Sequence, residues 1–471
     1  MATQIDLVVI GAGPGGYTAA FYAADRGLSV ALIDREPNPG GVCVYRGCIP
    51  SKALLHVAKV IDEAAHAASG GVAFGAPKID IDKLRAYKDK VVAQLTSGTG
   101  QLTKARKIKY LRGTATLQGP TSLEVALLDG GTEQVTFGHA IIAVGSQPAR
   151  VPGLTLDSPR FLDSTGALNL ENVPKSLLVV GGGYIGLELG SVYATLGTKV
   201  TVVEMMPGLL PGADRDLVAV LAKRIDKICE AVLLETKVVA VKEQKDGISV
   251  TFEDASGARR DQVFEKVLVS VGRKPNAMAG LDKTKVETDQ RGFIKVDGQR
   301  RTAEPTLYAI GDVAGEPMLA HKASHEGLVA VEAILGENVA FEPAAIPAVV
   351  FTDPELAWTG LTETEAQKLG KKVDVAKFPW AASGRALSID RTDGMTKLII
   401  EPGSERVLGV GIVGAGAGEL IAEGTLAIEM GAVASDLMLT IHAHPTLSET
   451  VMESAEAFFG HATHVYRPKR K

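Results

Sequence analysis

The sequence predicts an α/β protein made of two Rossmann-like dinucleotide-binding domains followed by a C-terminal α+β domain. Three observations predict it. A strand–glycine–helix–strand unit occurs twice at one constant offset, each copy ends its second strand on a carboxylate, and the pattern changes past about residue 340.

The first copy is the apolar strand Leu7-Val8-Val9-Ile10, then Gly11-Ala12-Gly13-Pro14-Gly15-Gly16, a helix of small residues, and a strand ending at Asp34. The second is Leu177-Leu178-Val179-Val180, then Gly181-Gly182-Gly183-Tyr184-Ile185-Gly186, a helix, and a strand ending at Glu204. Gly11, Gly13, Gly16 and Asp34 map onto Gly181, Gly183, Gly186 and Glu204, each pair 170 positions apart. In such a unit the first glycine makes a tight turn and the second lets a pyrophosphate approach the backbone. The third lets helix pack on strand. Free N–H groups and the helix dipole then favour the anion. The carboxylate, about 20 residues on, accepts hydrogen bonds from ribose hydroxyls. One such fingerprint is weak and is often only a turn. Two in register, each with its acid, are strong. Tyr184 and Ile185 open the second helix and belong with its nucleotide, as do Val238 and Gly272 further along. Each unit later meets a similar strand exit, 143–148 and 270–275.

Past residue 340 no third fingerprint occurs. Strands are expected at 346–351, 397–401 and 407–413, interleaved with helices such as 418–430, without a nucleotide of their own. The length, 471 residues, suggests about three domains. With 46% hydrophobic and 22% charged residues the chain reads as globular rather than disordered. No apolar run approaches the roughly 18 residues that span a bilayer, so no membrane is expected. The net charge of -5 and the lack of a basic stripe argue against nucleic acid. The basic tail 467–471 reads as a solvated end. No leader is evident at the N-terminus, so the expected location is the cytoplasm, a processed organellar matrix form being the other possibility.

Cysteine is scarce, at three, which excludes a disulfide scaffold and makes the close pair Cys43 and Cys48 look chemical. Residues five apart in an ideal helix have Cα atoms about 8–9 Å apart. A disulfide tolerates up to about 6.8 Å. If the two sulfurs bond, the segment is distorted, and Gly47 supplies the freedom. Pro50 suits the first turn of the helix that follows, which puts Cys48 at a helix N-terminus, where a thiolate is favoured. Two buried thiols are the plainer reading, but this pair directly follows a nucleotide unit, which favours redox chemistry. Cys229, in an apolar helical stretch, is expected to be a buried bystander. His321 and His325, at i and i+4, lack a convincing third ligand, so no metal is expected.

The stretch Gly40-Gly41-Val42-Cys43 to Cys48-Ile49-Pro50-Ser51-Lys52 resembles the active-site signature of the flavoprotein disulfide reductases. Tyr308-Ala309-Ile310-Gly311-Asp312-Val313 resembles that family's second flavin motif, and His442-Ala443-His444-Pro445-Thr446-Leu447-Ser448-Glu449 its C-terminal catalytic motif. The resemblance covers the whole chain. It implies FAD in 1–150 and 276–343, NAD in 151–275, and a dimerisation domain in 344–471. It places Asp34 on the adenosine ribose of FAD, where the family usually has Glu. Lys52 falls near the flavin's reactive nitrogen with Glu188 as its partner. Residues 113–115, including Gly113 and Ala115, and 312–320, including Asp312 and Ala320, fall along the adenine and ribityl chain. His444 becomes the acid–base, Glu449 its orienter and His442 a structural residue. In that family the histidine comes from the partner subunit of a homodimer. A substrate dithiol, deprotonated by the histidine, attacks the Cys43 position, and Cys48 passes electrons to the flavin.

Within the family, Glu204 suits the free 2′-hydroxyl of NAD and repels the 2′-phosphate of NADP. No arginine follows until Arg215, and no cysteine lies beyond Cys229, which sets aside NADP-linked and cysteine-tailed branches. The stretch 378–386 looks most like lipoamide dehydrogenases. That branch implies lipoyl domains of 2-oxo-acid dehydrogenase or glycine cleavage complexes as partners. Three positions depart from it: Asp34, the run Val44-Tyr45-Arg46, and Tyr184, which stands where an aliphatic residue is common. A pure docking component or a redox sensor would need no proton-transfer pair, and His444 with Glu449 argues against both.

Overall fold

A computed structural model of the chain describes residues 4–151 and 153–466, and the basic tail 467–471 lies outside the described residues. Four parallel pairings build the first sheet. Its strands run in the order Lys109–Gly119, Val30–Asp34, Gln4–Ile10, Thr132–Ile142 and Leu307–Ala309. Leu7, Val8 and Val9 are wholly buried, as are Ala31 and Leu32. Such continuous apolar runs are what a parallel sheet covered on both faces demands. Lys109–Gly119 and Thr132–Ile142 extend beyond the sheet and join Ser122–Leu127 in an antiparallel ribbon. Leu307–Ala309 brings the chain back to this sheet after the second unit.

The helix Pro14–Asp25 is made of small residues for a reason visible in its packing. A side chain on Gly15 would begin 2.8 Å from the carbonyl oxygen of Ala323, and one on Gly327 would begin 2.9 Å from that of Gly15. The helix Ala320–Ile334 therefore crosses it at backbone contact, with Ala19, Ala20 and Ala23 buried beneath.

The second sheet repeats the first. It runs Ala231–Leu233, Lys199–Val203, Ser176–Val180, Lys266–Val269 and Phe161–Leu162, all parallel, and carries its own antiparallel ribbon between 237 and 264. The repeat holds at the level of register: Val9 pairs with Leu32, and Val179 pairs with Val202. The two similar strand exits pair with each other, Ser146–Pro148 antiparallel to Arg273–Pro275, so both crossings between the units form one ribbon.

The third sheet is antiparallel throughout, in the order Ala348–Val350, Glu355–Gly360, Val407–Gly414, Met395–Ile400 and Asp374–Pro379. The helices Ala417–Glu429, Ala434–Leu439 and Glu449–Phe459 cover it. The strands at 355–360 and 374–379 were not among those expected from the sequence. One core cluster spans all three parts: Leu54 and Ala58 pack with Leu187, Leu189 and Val192, and with Val350, Leu356 and Val413. Buried Lys397 adds a polar tie. Its Nζ lies 2.7 Å from Asp214, 2.8 Å from Asp216 and 2.6 Å from Glu363. Those three carboxylates are the acidic cluster whose spacing could hold a metal among the described residues, and the ammonium of Lys397 sits among them, with that of Lys377 on Asp216 and Glu363.

Cys229 corrects an expectation. It is not within a helix: Arg215–Ile228 ends one residue earlier, and Cys229 is extended (φ -93°, ψ 150°) because the chain is entering the strand Ala231–Leu233. It is half-buried, and burial pushes its thiol up to about 12. No helix among the described residues is long and apolar enough to cross a membrane.

Candidate active site

The two glycine turns have the same geometry. Gly11 (φ +101°) and Gly181 (φ +107°) lie in the left-handed region, and a side chain on either would strike the carbonyl just past a strand end, that of Ala143 at 2.3 Å or Ser270 at 2.6 Å. Gly16 and Gly186 press their helices onto those turns, a side chain there meeting the Gly11 and Gly181 oxygens at 1.9 and 2.3 Å. Gly13 and Gly183 face open space, with nothing within 4 Å. The acids match too. Asp34 accepts from Ala12 N–H (2.6 Å) and Glu36 N–H (3.0 Å), and Glu204 accepts from Gly182 N–H (2.7 Å) and Met206 N–H (2.8 Å). Each carboxylate thus braces its own glycine loop while standing at the end of its strand. Burial raises the Asp34 carboxyl above its ordinary range, against those backbone bonds.

A cavity of about 520 Å³ runs from Asp34 across Gly11, Gly13 and Gly16 to the cysteine pair. Gly113, Ala115, Asp312 and Ala320 line it, as do Lys52, Glu188, Tyr184 and Ile185. Gly181, Gly183, Gly186, Glu204, Val238 and Gly272 do not; they lie in the second unit, where Gly186 and Glu204 are buried. Val238 is the second residue of the ribbon strand Lys237–Gln244 and packs on the core beneath it.

The cysteines sit where two helices meet. Gly41–Arg46 stops, Cys48–His66 begins, and Gly47 between them has φ -143° and ψ -112°. This break is the distortion that the five-residue spacing calls for. Nothing larger than glycine sits easily there, since a Cβ would lie 3.0 Å from the Val42 oxygen. Cys48 is the first residue of its helix and exposed on the cavity wall; Cys43 is half-buried, and both are free thiols. The hydrogen bond from Cys43, then the charge of Lys52, pull Cys48 down to about 7 against the desolvation that the cavity wall imposes on it. The same hydrogen bond and burial drive Cys43 far up. Above pH 7 the pair therefore carries its charge on Cys48 and keeps its proton on Cys43.

Lys52, one helical turn on, donates from Nζ to Glu188 Oε2 at 2.8 Å. Glu188 is buried, and Ser51 Oγ (3.1 Å) and the N–H of Phe351 (3.0 Å) also donate to it. Asp312 bonds Ser146 Oγ, which accepts from Arg273 Nε at 2.7 Å. Ser51, Phe351, Ser146 and Arg273 were not singled out from the sequence. The paired strand exits could have pointed to the last two, because Ser146 and Arg273 both lie in them.

His444 Nδ1 lies 2.9 Å from Glu449 Oε1, and Glu449 Oε2 accepts from Thr446 N–H at 2.7 Å. Burial would raise Glu449, but the bonds from Thr446 and His444 outweigh it and hold the carboxyl below its usual range. The dyad is not on the cavity wall with the cysteines, and the His444 side chain is 72% exposed. His442 is enclosed instead, between Thr440 O (2.9 Å) and Glu423 Oε1 (2.7 Å). His321 faces the Pro347 carbonyl at 2.9 Å. The departing residues have local partners: Tyr45 OH bonds the backbone of Asn38, and Arg46 pairs with Glu36.

Residues 5–327 match the family described as pyridine nucleotide-disulphide oxidoreductase, and residues 346–455 match the dimerisation domain of that family. The chain belongs to the pyridine nucleotide-disulphide oxidoreductases. It is 51% identical over 470 residues to the dihydrolipoyl dehydrogenase of Vibrio cholerae, covering 99% of this chain and 98% of that protein. It is 50% identical to the one of Haemophilus influenzae, with the same coverage. Among solved structures it resembles LpdA from Mycobacterium tuberculosis (TM-score 0.88, 26% identity, 96% of this chain and all of that one). It also resembles the HOCl-induced flavoprotein disulfide reductase RclA from Escherichia coli (TM-score 0.84, 28% identity, 95% and 98%). Like its family, the chain is an oxidoreductase that uses FAD and NAD(H). The residues present fit that pair of cofactors: two anion-ready turns with an open second glycine, each with its acid, and a long cavity that ends at the thiols.

Proposed function

We propose that the chain is a dihydrolipoyl dehydrogenase, which oxidises the dihydrolipoyl groups of lipoyl domains and reduces NAD⁺. The observation that carries this is the split Cys43–Cys48 pair on a cavity wall shared by both nucleotide units. Residues 1–150 and 276–343 hold FAD, 151–275 hold NAD, and 344–471 join two subunits. FAD, when bound, relays two electrons from the thiols to NAD⁺. The residues of the chain manage the thiols and protons. His444, its tautomer set by Glu449, takes a proton from one substrate thiol, and the thiolate attacks Cys43 of the oxidised pair, breaking the bond to Cys48, which leaves as the thiolate. The second substrate thiol then displaces Cys43, its proton passing to the Cys43 sulfur, and the substrate leaves as the cyclic disulfide, with two electrons now held by Cys43 and Cys48. Lys52 holds positive charge beside the Cys48 thiolate, and Glu188 keeps the lysine in place.

His444 serves the cysteines of the other subunit, so the working unit is a homodimer. Its exposure supports this, together with Leu426, Met430, Leu439 and Ile441, apolar side chains left exposed on the same domain. Glu204 selects NAD, since a carboxylate bonded to Gly182 and Met206 repels a 2′-phosphate. The partners are lipoyl domains of 2-oxo-acid dehydrogenase or glycine cleavage complexes, in the cytoplasm.

Turnover of the purified protein with dihydrolipoamide and NAD⁺, against NADP⁺ and glutathione disulfide as controls, tests the reading. NAD-dependent oxidation is expected. No dihydrolipoamide turnover, with the cysteines still reducible by NADH, would turn the search to another disulfide. Glu204→Ala is expected to weaken NAD more than NADP, and equal weakening in a binding titration would remove Glu204 from the ribose.

A further inference from the structure

We propose that Phe351 is a positioning residue, through which the C-terminal domain holds the Lys52 ammonium against the Cys48 end of the cavity. It rests on the reading that Lys52 acts beside the Cys48 thiolate. Two contacts of one residue carry it. The Phe351 ring lies over Lys52, its centroid 4.4 Å from Nζ, and its backbone N–H donates to Glu188 Oε1 at 3.0 Å. Phe351 thus touches both members of the Lys52–Glu188 pair, and each by a different kind of bond.

A lysine side chain has four rotatable bonds, and Lys52 is one-third exposed, so one carboxylate does not define where its ammonium sits. A ring face adds a second attraction from a fixed direction. The ring is itself fixed. Phe351 directly follows the strand Ala348–Val350, and a side chain on Gly418 would begin 3.5 Å from its Cε1, so the helix Ala417–Glu429 closes over it. The same Gly418 also donates its N–H to Glu355 Oε2 at 2.9 Å, at the start of the neighbouring strand Glu355–Gly360. Lysine, carboxylate and ring come from three different parts of the chain, which makes the seat of Lys52 a property of their docking. The groups facing Cys48 are Cys43 from its own loop, Lys52 one turn on, Glu188 and Tyr184 from the helix Tyr184–Thr195, and Tyr17 from the helix Pro14–Asp25. Lys52 is the cation among them.

The test is a pH titration of the long-wavelength thiolate-to-flavin absorbance in the two-electron-reduced holoenzyme, a signal that does not depend on turnover. Phe351→Leu keeps the backbone N–H and apolar bulk but removes the ring. It is expected to move the midpoint up, lowering the thiolate fraction at pH 7 about two- to threefold. Phe351→Tyr, which keeps a ring face, should titrate like the unaltered protein. Should the leucine variant not retain flavin, Phe351→Met replaces it. Lys52→Met is the reference. If it shifts the midpoint and Phe351→Leu does not, Phe351 has no such role. An equal shift in Phe351→Tyr and Phe351→Leu also overturns the proposal. If Lys52→Met itself leaves the midpoint unmoved, the placement of Lys52 beside the thiolate fails, and the proposal fails with it.

Discussion

Glu188 receives three donors on two buried oxygens, from Ser51, Lys52 and Phe351, and so is held where a free carboxylate would be costly. Glu188→Gln keeps the shape but leaves Lys52 without its counter-charge. Because Lys52 is partly exposed, the expected loss is only about 1–2 kcal/mol of unfolding stability, read from denaturant midpoints. An unchanged midpoint would mean the pair contributes nothing net. The thiols respond to pH in a stated direction. A thiol lowered to about 7 from its ordinary 9.0 is thiolate above pH 7 and loses that charge as pH falls through 7. The thiolate absorbance of the reduced protein is therefore expected to appear near pH 7. Its appearance near pH 9 would mean that Cys43 and Lys52 do not act on Cys48.

At the scale of elements, the glycine turns separate folding from binding. Gly16 is needed by the protein itself, since any side chain there strikes the Gly11 oxygen; Gly13 faces open space and is needed only by what binds. Gly16→Ala is expected to cost several kcal/mol through overpacking at backbone contact, with a lower melting temperature even without FAD. Gly13→Ala should melt normally as apo-protein yet bind FAD about tenfold or more weakly, because the methyl occupies the pyrophosphate's approach. Equal melting of the two apo-variants would contradict this division. The second unit repeats this geometry: a side chain on Gly186 would strike the Gly181 oxygen, and one on Gly183 would meet nothing within 4 Å.

For the whole molecule, the decisive feature is that the thiols and the His444–Glu449 dyad lie apart within one chain. Mixing subunits tests whether a second copy joins them. Cys48→Ser and His444→Gln homodimers should each be inactive toward dihydrolipoamide. Hybrids carry one site with both groups intact. Random reassembly of equal amounts makes half the dimers hybrid, so about a quarter of normal turnover should return. No recovery from verified hybrids would place the histidine and the cysteines in the same subunit. The exposed apolar side chains of the same domain, including Ile441 at 96% exposure, are the surface such pairing would cover.

Much of this was legible in the sequence because it follows from local chemistry. The two glycine units, their acids and the helix break at Gly47 depend on steric and hydrogen-bonding needs met within about 25 residues, and spacing alone records those. The pairing of Lys52 with Glu188 came from resemblance to a family, since nothing in periodicity links positions 136 residues apart. The contact of Phe351 with Lys52 and Glu188 was not legible at all, and Ser51, Ser146 and Arg273 stood in quoted motifs without a partner being readable. Each is an ordinary residue type whose role depends on which distant element packs beside it. Cys229 was misplaced for a related reason: an apolar stretch continues past the point where the next strand takes over the backbone. The sequence by itself determined the repeated α/β units, the close cysteine pair and the acid that ends the second strand of each unit. Only the tertiary structure decided where the charges that serve the pair are seated, because long-range packing brings three parts of the chain to one carboxylate and one ammonium.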